Sequence, residues 1–374
     1  MTRLVALDLA GGPEFVAALQ RTWDRGDAAF VVDRRLPESA KRDLLRTVRP
    51  HAIVADDGSS SRRSNPIAPS LEPGDALVVA TSGSTGSPKL VVHTFAGLEV
   101  QARAVHSRLE VAPGRDRWLA CLPLSHLGGL GVVIRSLLTG TPVDVIDGFD
   151  GDFVDQAPER LGSTLISLVP TALDRVDTSR YRWVVLGGAA DPVARASNVV
   201  RTYGLTETGG GVVFGGVPLD GVEVAVDADG AIRLRGPMLA RGRRLEDGTV
   251  EPLTDEDGWL HTGDQGRWDE GRLVVHGRHD DLIVSGGENV WPTPVERALS
   301  THPSVAEAAV VGVADPQWGQ RVVAVVVPTD PGSPPTLESL RDHVKASLPA
   351  FSAPRELRLL DRLPRTNLGK VQRS

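Results

Sequence analysis

Short apolar runs recur along the first half of the chain, at 76–80, 90–92, 117–124, 142–146, 164–169 and 182–186, each of strand length. Between them, 95–111 and 128–138 place an apolar residue at every third or fourth position and predict helices. Upstream, residues 1–70 predict a βα preamble: a helix around 14–23, a strand over 28–32 and a helix around 38–48. The stretch 56–73, rich in Ser, Asp, Pro and Gly, predicts a loop. This alternation, followed to about residue 280, predicts a layered α/β domain.

After Gly277 the pattern changes. A helix around 294–300 precedes apolar strands at 305–313 and 322–327; a Pro/Gly/Ser-rich loop, a helix around 337–348 and a strand over 356–360 follow. The expected division is a first domain over 1–279 and a compact α+β domain over 280–374. No internal repeat, heptad pattern or long low-complexity tract interrupts it.

Composition narrows the function. The chain has 374 residues, a length for two or three domains at roughly 150 residues each. Its formal charge of −7 gives no support to a nucleic-acid or polybasic membrane role. One cysteine, Cys121, cannot form an internal disulfide or a structural zinc site, and its apolar surroundings make it a core residue. No apolar run approaches the ~18 residues of a membrane span, and the run after Arg3 is too short and acidic for a signal peptide, so the expected location is the cytoplasm. Only four of the 41 basic residues are lysines (Lys41, Lys89, Lys345 and Lys370). Two of them fall inside the motifs below, where a compact, flexible charge has a use.

The first motif is Thr81, Ser82, Gly83, Ser84, Thr85, Gly86, Ser87, Pro88 and Lys89, straight after an expected strand. Small residues let the backbone close around an anion, hydroxyls and N–H groups donate, and the lysine adds charge. It is not a Walker A sequence: Pro88 stands where the second glycine belongs, and Leu90 replaces the metal-holding hydroxyl. A nucleotide here needs its metal ligand from elsewhere; the ordinary alternative is a plain Gly/Ser loop. The second, Tyr203-Gly-Leu-Thr-Glu-Thr208, follows an expected strand over 199–202 and offers a ring, hydroxyls and a carboxylate. The third runs from Asp257 to Asp264, with Arg278 and the Asp280-Asp281 pair beyond it; a turn cap is the alternative for its carboxylate. The fourth is Ser285-Gly-Gly-Glu-Asn-Val-Trp-Pro292, and the fifth Pro364-Arg-Thr-Asn-Leu-Gly-Lys370, which in isolation reads as a solvated tail.

In this order and spacing the five segments resemble the core motifs of the adenylate-forming superfamily, from about Leu71 to Lys370. The resemblance implies a large layered α/β N-terminal domain, here with a reduced N-terminal subdomain, and a small mobile α+β C-terminal domain. It implies that a carboxylic acid and ATP give an acyl-adenylate and pyrophosphate, after which a thiol displaces AMP. Thr81–Lys89 would hold the departing phosphates, Glu207 would bind Mg²⁺, and Thr206 would hydrogen-bond the α-phosphate. Tyr203 would lie against adenine, opposite Gly187, Gly188 and Ala189. Asp264 and Arg278 would grip the ribose, and Lys370 would bridge the acid and the α-phosphate. Asp280 matches the hinge. After rotation, Gly286, Gly287 and Glu288 would line the thiol tunnel and Trp318 would lie near the CoA nucleotide, core packing being its alternative.

Within the superfamily the chain is most similar to o-succinylbenzoate–CoA ligases, through Leu122-Pro-Leu-Ser-His-Leu-Gly-Gly-Leu-Gly131 and on to Arg135, through 186–190, through 209–221 with Gly210, and through 285–292. Such a substrate carries a second carboxylate, and an unpaired charge in a dry pocket is expensive, so a fixed cation should meet it. His126 and Arg135 are the basic residues of the expected acid site, and Arg135 lies in an otherwise apolar helix, where the alternative is a snorkelling side chain. The Leu282-Ile-Val284 segment lacks the lysine many acyl-CoA synthetases carry there, and the Ser-Gly-Gly-Glu-Asn pattern is shared with halobenzoate ligases. A benzoate-type aryl-CoA ligase and a non-catalytic nucleotide-binding relic are the other readings. Expected partners are the acid, ATP and CoA, with a homodimer implied by the resemblance alone.

Overall fold

The computed structural model describes residues 2–56, 60–62, 71–81, 88–188 and 195–364. The chain begins with β1 (Leu4–Asp8), α1 (Pro13–Asp24), β2 (Ala28–Val31), α2 (Glu38–Val48), β3 (Ala52–Ala55), β4 (Ser60–Arg62), β5 (Asp75–Thr81) and β6 (Lys89–Thr94). There follow α3 (Phe95–Leu109), β7 (Trp118–Ala120), α4 (Leu127–Thr139), β8 (Val143–Val145), α5 (Gly151–Leu161), β9 (Leu165–Leu168), the single turn α6 (Pro170–Leu173), β10 (Trp183–Leu186) and β11 (Val199–Leu205). Within the loop expected over 56–73, β4 instead pairs antiparallel with β3.

The helix–strand alternation expected as far as residue 280 ends with β10. Beyond β11 come β12 (Gly210–Phe214), β13 (Val217–Pro218), β14 (Glu223–Val226), β15 (Ala231–Arg235), β16 (Gly242–Arg244), β17 (Val250–Glu251), β18 (Leu260–Asp269), β19 (Arg272–Arg278), β20 (Ile283–Ser285) and β21 (Glu288–Val290). The reason is local. In β15 buried Ile232 and Leu234 alternate with more exposed neighbours, the period of a one-sided strand. Turns such as Asp227-Ala-Asp-Gly230 and Asp269-Glu-Gly271 end on glycines with positive φ, which fold the chain back after a few residues.

Compactness divides the chain into two units, Met1–Gly188 with Ala196–Val224 and Arg233–His261, and Ala189–Arg195 with Ala225–Ile232 and Thr262–Ser374. The first unit holds two sheets, ordered β17-β16-β6-β5-β2-β1-β3-β4 and β13-β12-β11-β10-β9-β7-β8. Strand parity shows how they are layered. Val5 and Leu7 of β1 join a core with α1, α3 and α4, whereas Leu4 and Ala6 join one with Leu45 and Val48 of α2. In the second sheet Trp118 and Leu165 face α3 and α4, while Leu119 and Ile166 face Val154 and Ala157 of α5. Helices α1, α3 and α4 thus form a central layer with a sheet on either side, which is why α4 buries Leu130, Val132, Val133 and Ile134 all round its axis. Among the described residues no helix is long and apolar enough to cross a membrane, and Cys121 is buried in the core beneath α5.

A further sheet, β14-β15-β18-β19, contains the strands through which the division passes. The rest of the second unit adds α7 (Pro292–Ser300), the long hairpin β22 (Val305–Asp315) and β23 (Gly319–Pro328), α8 (Leu337–Lys345) and β24 (Glu356–Leu359). Strands β21-β20-β23-β22 form a sheet with β24 parallel to β23, and Val295, Leu299, Val310, Val322, Leu340 and Val344 pack into its core.

Candidate functional site

The candidate nucleotide motifs of the first unit lie at or near strand ends. Thr81 closes β5 opposite Lys89, which opens β6, so the antiparallel register fixes both edges of the phosphate-loop candidate. Ser82, Gly83, Ser84, Thr85 and Gly86 lie outside the described residues, as do Ala189 and Lys370. Gly187 follows β10, and its N–H donates to the Leu168 carbonyl at 3.1 Å. A Cβ at Gly187 would stand 3.1 Å from Thr202 Oγ1, so the absence of a side chain lets this turn close against the neighbouring strand beside Tyr203. Gly188 continues it with φ +87°.

Tyr203 lies within β11, which runs on to Leu205 rather than ending at 202 as expected. The register slips between Tyr203 and Gly204, a bulge that re-aims the strand. There the strands approach so closely that a Cβ on Gly204 would lie 2.0 Å from the Gly210 carbonyl oxygen. Thr206–Thr208 then forms one 3-10 turn, locked by Thr208, whose hydroxyl accepts the Leu205 N–H at 2.8 Å. The Glu207 carbonyl accepts the Ala240 N–H at 2.8 Å, and Arg241 N–H next to it donates to Val92 of β6 at 2.8 Å. These bonds tie the Thr-Glu turn to β6, the strand that follows the phosphate-loop candidate. The half-buried Glu207 carboxylate has no side-chain partner among the described residues. No group of three or more metal-ligating side chains occurs among those residues. A lone carboxylate matches magnesium held chiefly by phosphate oxygens and water.

Two of the acid-site candidates, His126 and Arg135, lie at and within α4, and Gly210 opens β12. His126 occupies the N-cap position of α4 without capping it. Arg35, 91 residues upstream, places Nη2 3.0 Å from His126 Nε2, and the Asp33 carboxylate lies 3.7 Å from the same nitrogen. Arg35 is held by Asp33 through bonds of 2.8 and 2.7 Å. Burial pushes the Asp33 carboxyl up, but its bonds to Arg35 and His126 outweigh this and leave it well below the usual carboxylate range. Neither Asp33 nor Arg35 belongs to a motif, and only the three-dimensional fold brings them to His126.

Arg135 is 5% exposed, which removes the snorkelling alternative: its helix is covered on every side. Its guanidinium runs back along α4, with Nη1 against Gly131, as helical side chains point toward the N-terminus. It lies over the Trp118 ring, 5.0 Å from the centroid, with Nη2 3.5 Å from Ser167 Oγ and Nε without a partner. Burial pushes it down to about 10, and no carboxylate offsets that. The site also takes in Gln101 of α3, buried, whose side chain donates to the Gly211 carbonyl at 3.1 Å beside Gly210. A lone amide among the apolar positions of that helix was the available signal.

In the second unit Asp264 and Arg278 are direct cross-strand partners on β18 and β19, with Nε 3.6 Å from Oδ1 and Asp264 buried. Asp280 is exposed in the 3-10 turn His279–Asp281. Gly286 and Gly287 form the two-residue turn between β20 and β21, both with positive φ, and Glu288 opens β21. The Gly286 N–H donates to the Trp318 carbonyl at 2.8 Å, and the Trp318 ring lies so close that a Cβ at Gly286 would be 2.7 Å from it. Arg355 stacks on the same indole, 3.6 Å from its centroid. Half-buried Trp318 is thus covered on one face by a guanidinium and lies edge-close to the glycine turn.

The AMP-binding enzyme family model matches residues 53–242, and the AMP-binding enzyme C-terminal domain model matches 294–370. A probable 2-succinylbenzoate–CoA ligase of Mycobacterium tuberculosis is 44% identical over 322 residues, covering 80% of this chain and 83% of that one. The o-succinylbenzoate CoA synthetase (MenE) of Bacillus subtilis in complex with the acyl-adenylate intermediate OSB-AMP superposes with a TM-score of 0.84 at 27% identity, covering 99% of this chain and 87% of the other. The same enzyme in complex with ATP and magnesium ion gives 0.84 at 27%, covering 99% and 88%. The chain belongs to the AMP-binding enzyme family of the adenylate-forming superfamily, in its 2-succinylbenzoate–CoA ligase branch.

Proposed function

We propose that this chain joins 2-succinylbenzoate to CoA using ATP, with AMP and pyrophosphate as the other products. A carboxylate oxygen of the acid attacks the α-phosphorus and pyrophosphate leaves. The CoA sulfur then attacks the acyl carbon, AMP departs with the bonding pair, and the thiol proton passes to solvent. The named relatives support this reading, and one observation carries it to the acid: Arg135, a buried guanidinium in an apolar layer with no carboxylate partner among the described residues. The unreacted carboxylate would supply the missing counter-charge. A benzoate-type acid has none to give, so that reading leaves Arg135 unexplained, and the motif side chains argue against a non-catalytic relic.

The first step brings an anion to an anionic phosphate, so positioning and charge neutralisation supply the rate. Thr81, Lys89 and the loop between them would receive the departing phosphates, and Thr206 would donate to the α-phosphate. Glu207 would hold the magnesium ion, which when bound neutralises phosphate charge. Tyr203 and the Gly187-Gly188-Ala189 turn would enclose adenine; Asp264 would accept from the ribose hydroxyls beside Arg278. His126 would lie at the reacting carboxylate, and Gly210 would leave room for the acid. Lys370 would bridge acid and phosphate in the first step, and rotation about Asp280, with domains over 1–279 and 280–374, would bring Gly286, Gly287, Glu288 and Trp318 to CoA in the second. A homodimer, on the family resemblance alone, and a cytoplasmic location, on the apolar runs being too short for a membrane span, complete the proposal. Purified protein with ATP, Mg²⁺, CoA and a panel of acids tests it: AMP release is expected with 2-succinylbenzoate, and preference for benzoate overturns it.

A further inference from the structure

We infer that Trp118 and His106 are positioning residues that aim Arg135, and so set the preference for an acid with two carboxylates. This rests on the reading of Arg135 as the seat of the second carboxylate. The only side-chain hydrogen bond described for Arg135 is the one to Ser167 Oγ, at 3.5 Å too long to orient a guanidinium. Its position is therefore set by the flat face of Trp118, whose ring centroid lies 5.0 Å from Cζ and which is itself wholly buried. A planar cation on an indole face is confined in height and tilt while its N–H groups stay free at the edges.

The indole is in turn fixed from α3. Trp118 Nε1 donates to His106 Nε2 at 3.1 Å, and the two rings are inclined by only 14°. A bond lying in both ring planes locks the rotation of the indole and leaves its face open for Arg135. The arrangement needs His106 neutral with its proton on Nδ1. Burial first, and Arg135 nearby second, push His106 down to about 4, which keeps it so at neutral pH. Three elements, α3, β7 and α4, thus meet in a relay in which His106 and Trp118 touch no reacting atom.

The test measures kcat/KM for 2-succinylbenzoate against whichever monoacid analogue, lacking one of its two carboxylates, the wild type turns over, together with KM for ATP and Tm. His106→Leu removes the acceptor, His106→Gln restores one, Trp118→Phe keeps a ring without the N–H, and Arg135→Met removes the cation. The expected result is a fall of about tenfold in diacid-over-monoacid selectivity for His106→Leu and Trp118→Phe at unchanged KM for ATP, with recovery in His106→Gln. If Arg135→Met erases the selectivity while His106→Leu and Trp118→Phe leave it intact, or lower diacid and monoacid turnover equally, the relay is refuted and the role of Arg135 stands. If Arg135→Met leaves the selectivity unchanged, the reading beneath the relay falls with it.

Discussion

A buried arginine without a counter-charge is a poor way to stabilise a fold, and that makes Arg135 testable on two axes at once. Removing an uncompensated buried charge is commonly neutral or stabilising. Arg135→Leu should therefore leave Tm unchanged or raised while increasing KM for the acid about 10- to 100-fold, the worth of a charged hydrogen-bonded pair, with KM for ATP little altered. Steady-state kinetics and thermal melts on one preparation check it; a lowered Tm with both KM values raised would mark Arg135 as structural. His93 and His106 make a second claim at this scale. Burial holds both down to about 4 from 6.5, with Arg135 adding to the effect on His106. The unfolded chain takes up protons below pH 6.5 that the folded chain refuses, so stability is complete above that value and declines as pH falls toward 4, by up to about 3 kcal/mol per histidine. Urea midpoints measured across that window should fall with pH, and less steeply in His106→Leu; a flat profile would contradict it.

At the scale of elements, close backbone approach explains much of the glycine spacing. Gly286 has φ +63° and faces the Trp318 ring, so Gly286→Ala must both adopt a left-handed conformation and push the indole away. Loss of CoA thioester formation with adenylate formation preserved is the expected outcome, read by trapping the two products separately; equal loss of both would assign the turn to folding instead. The elements that were legible in the sequence are those whose period is sharp. Helix α2 has the expected bounds, and α1, α3 and α4 depart by only a few residues at their ends. The strands β12–β19 were not read, because most are short and polar residues such as those of Ala231–Arg235 and Arg272–Arg278 break up their apolar positions, leaving no long periodic run. The site divides in the same way. Motif residues such as Tyr203, Glu207 and Asp264 announce themselves by composition, and β11 extends through Tyr203 because Gly204 permits the crossing. Arg35, Gln101, His106 and Trp118 do not, since each earns its place through a neighbour distant in sequence.

For the molecule as a whole, the proposal divides the labour between two units, one carrying the phosphate-loop edges, the Thr-Glu turn and the acid site, the other the ribose pair and the glycine turn. If Lys370 serves only the first half-reaction, Lys370→Ala abolishes adenylate formation yet spares thioester formation from supplied acyl-adenylate; parallel loss of both steps would refute the alternation. The central claim, that a buried cation selects a two-carboxylate acid for adenylation, is tested most directly by acid-dependent exchange of labelled pyrophosphate into ATP without CoA. The account predicts exchange driven by 2-succinylbenzoate and little by benzoate, with the difference erased in Arg135→Leu. Equal exchange with both acids in the wild type would contradict it.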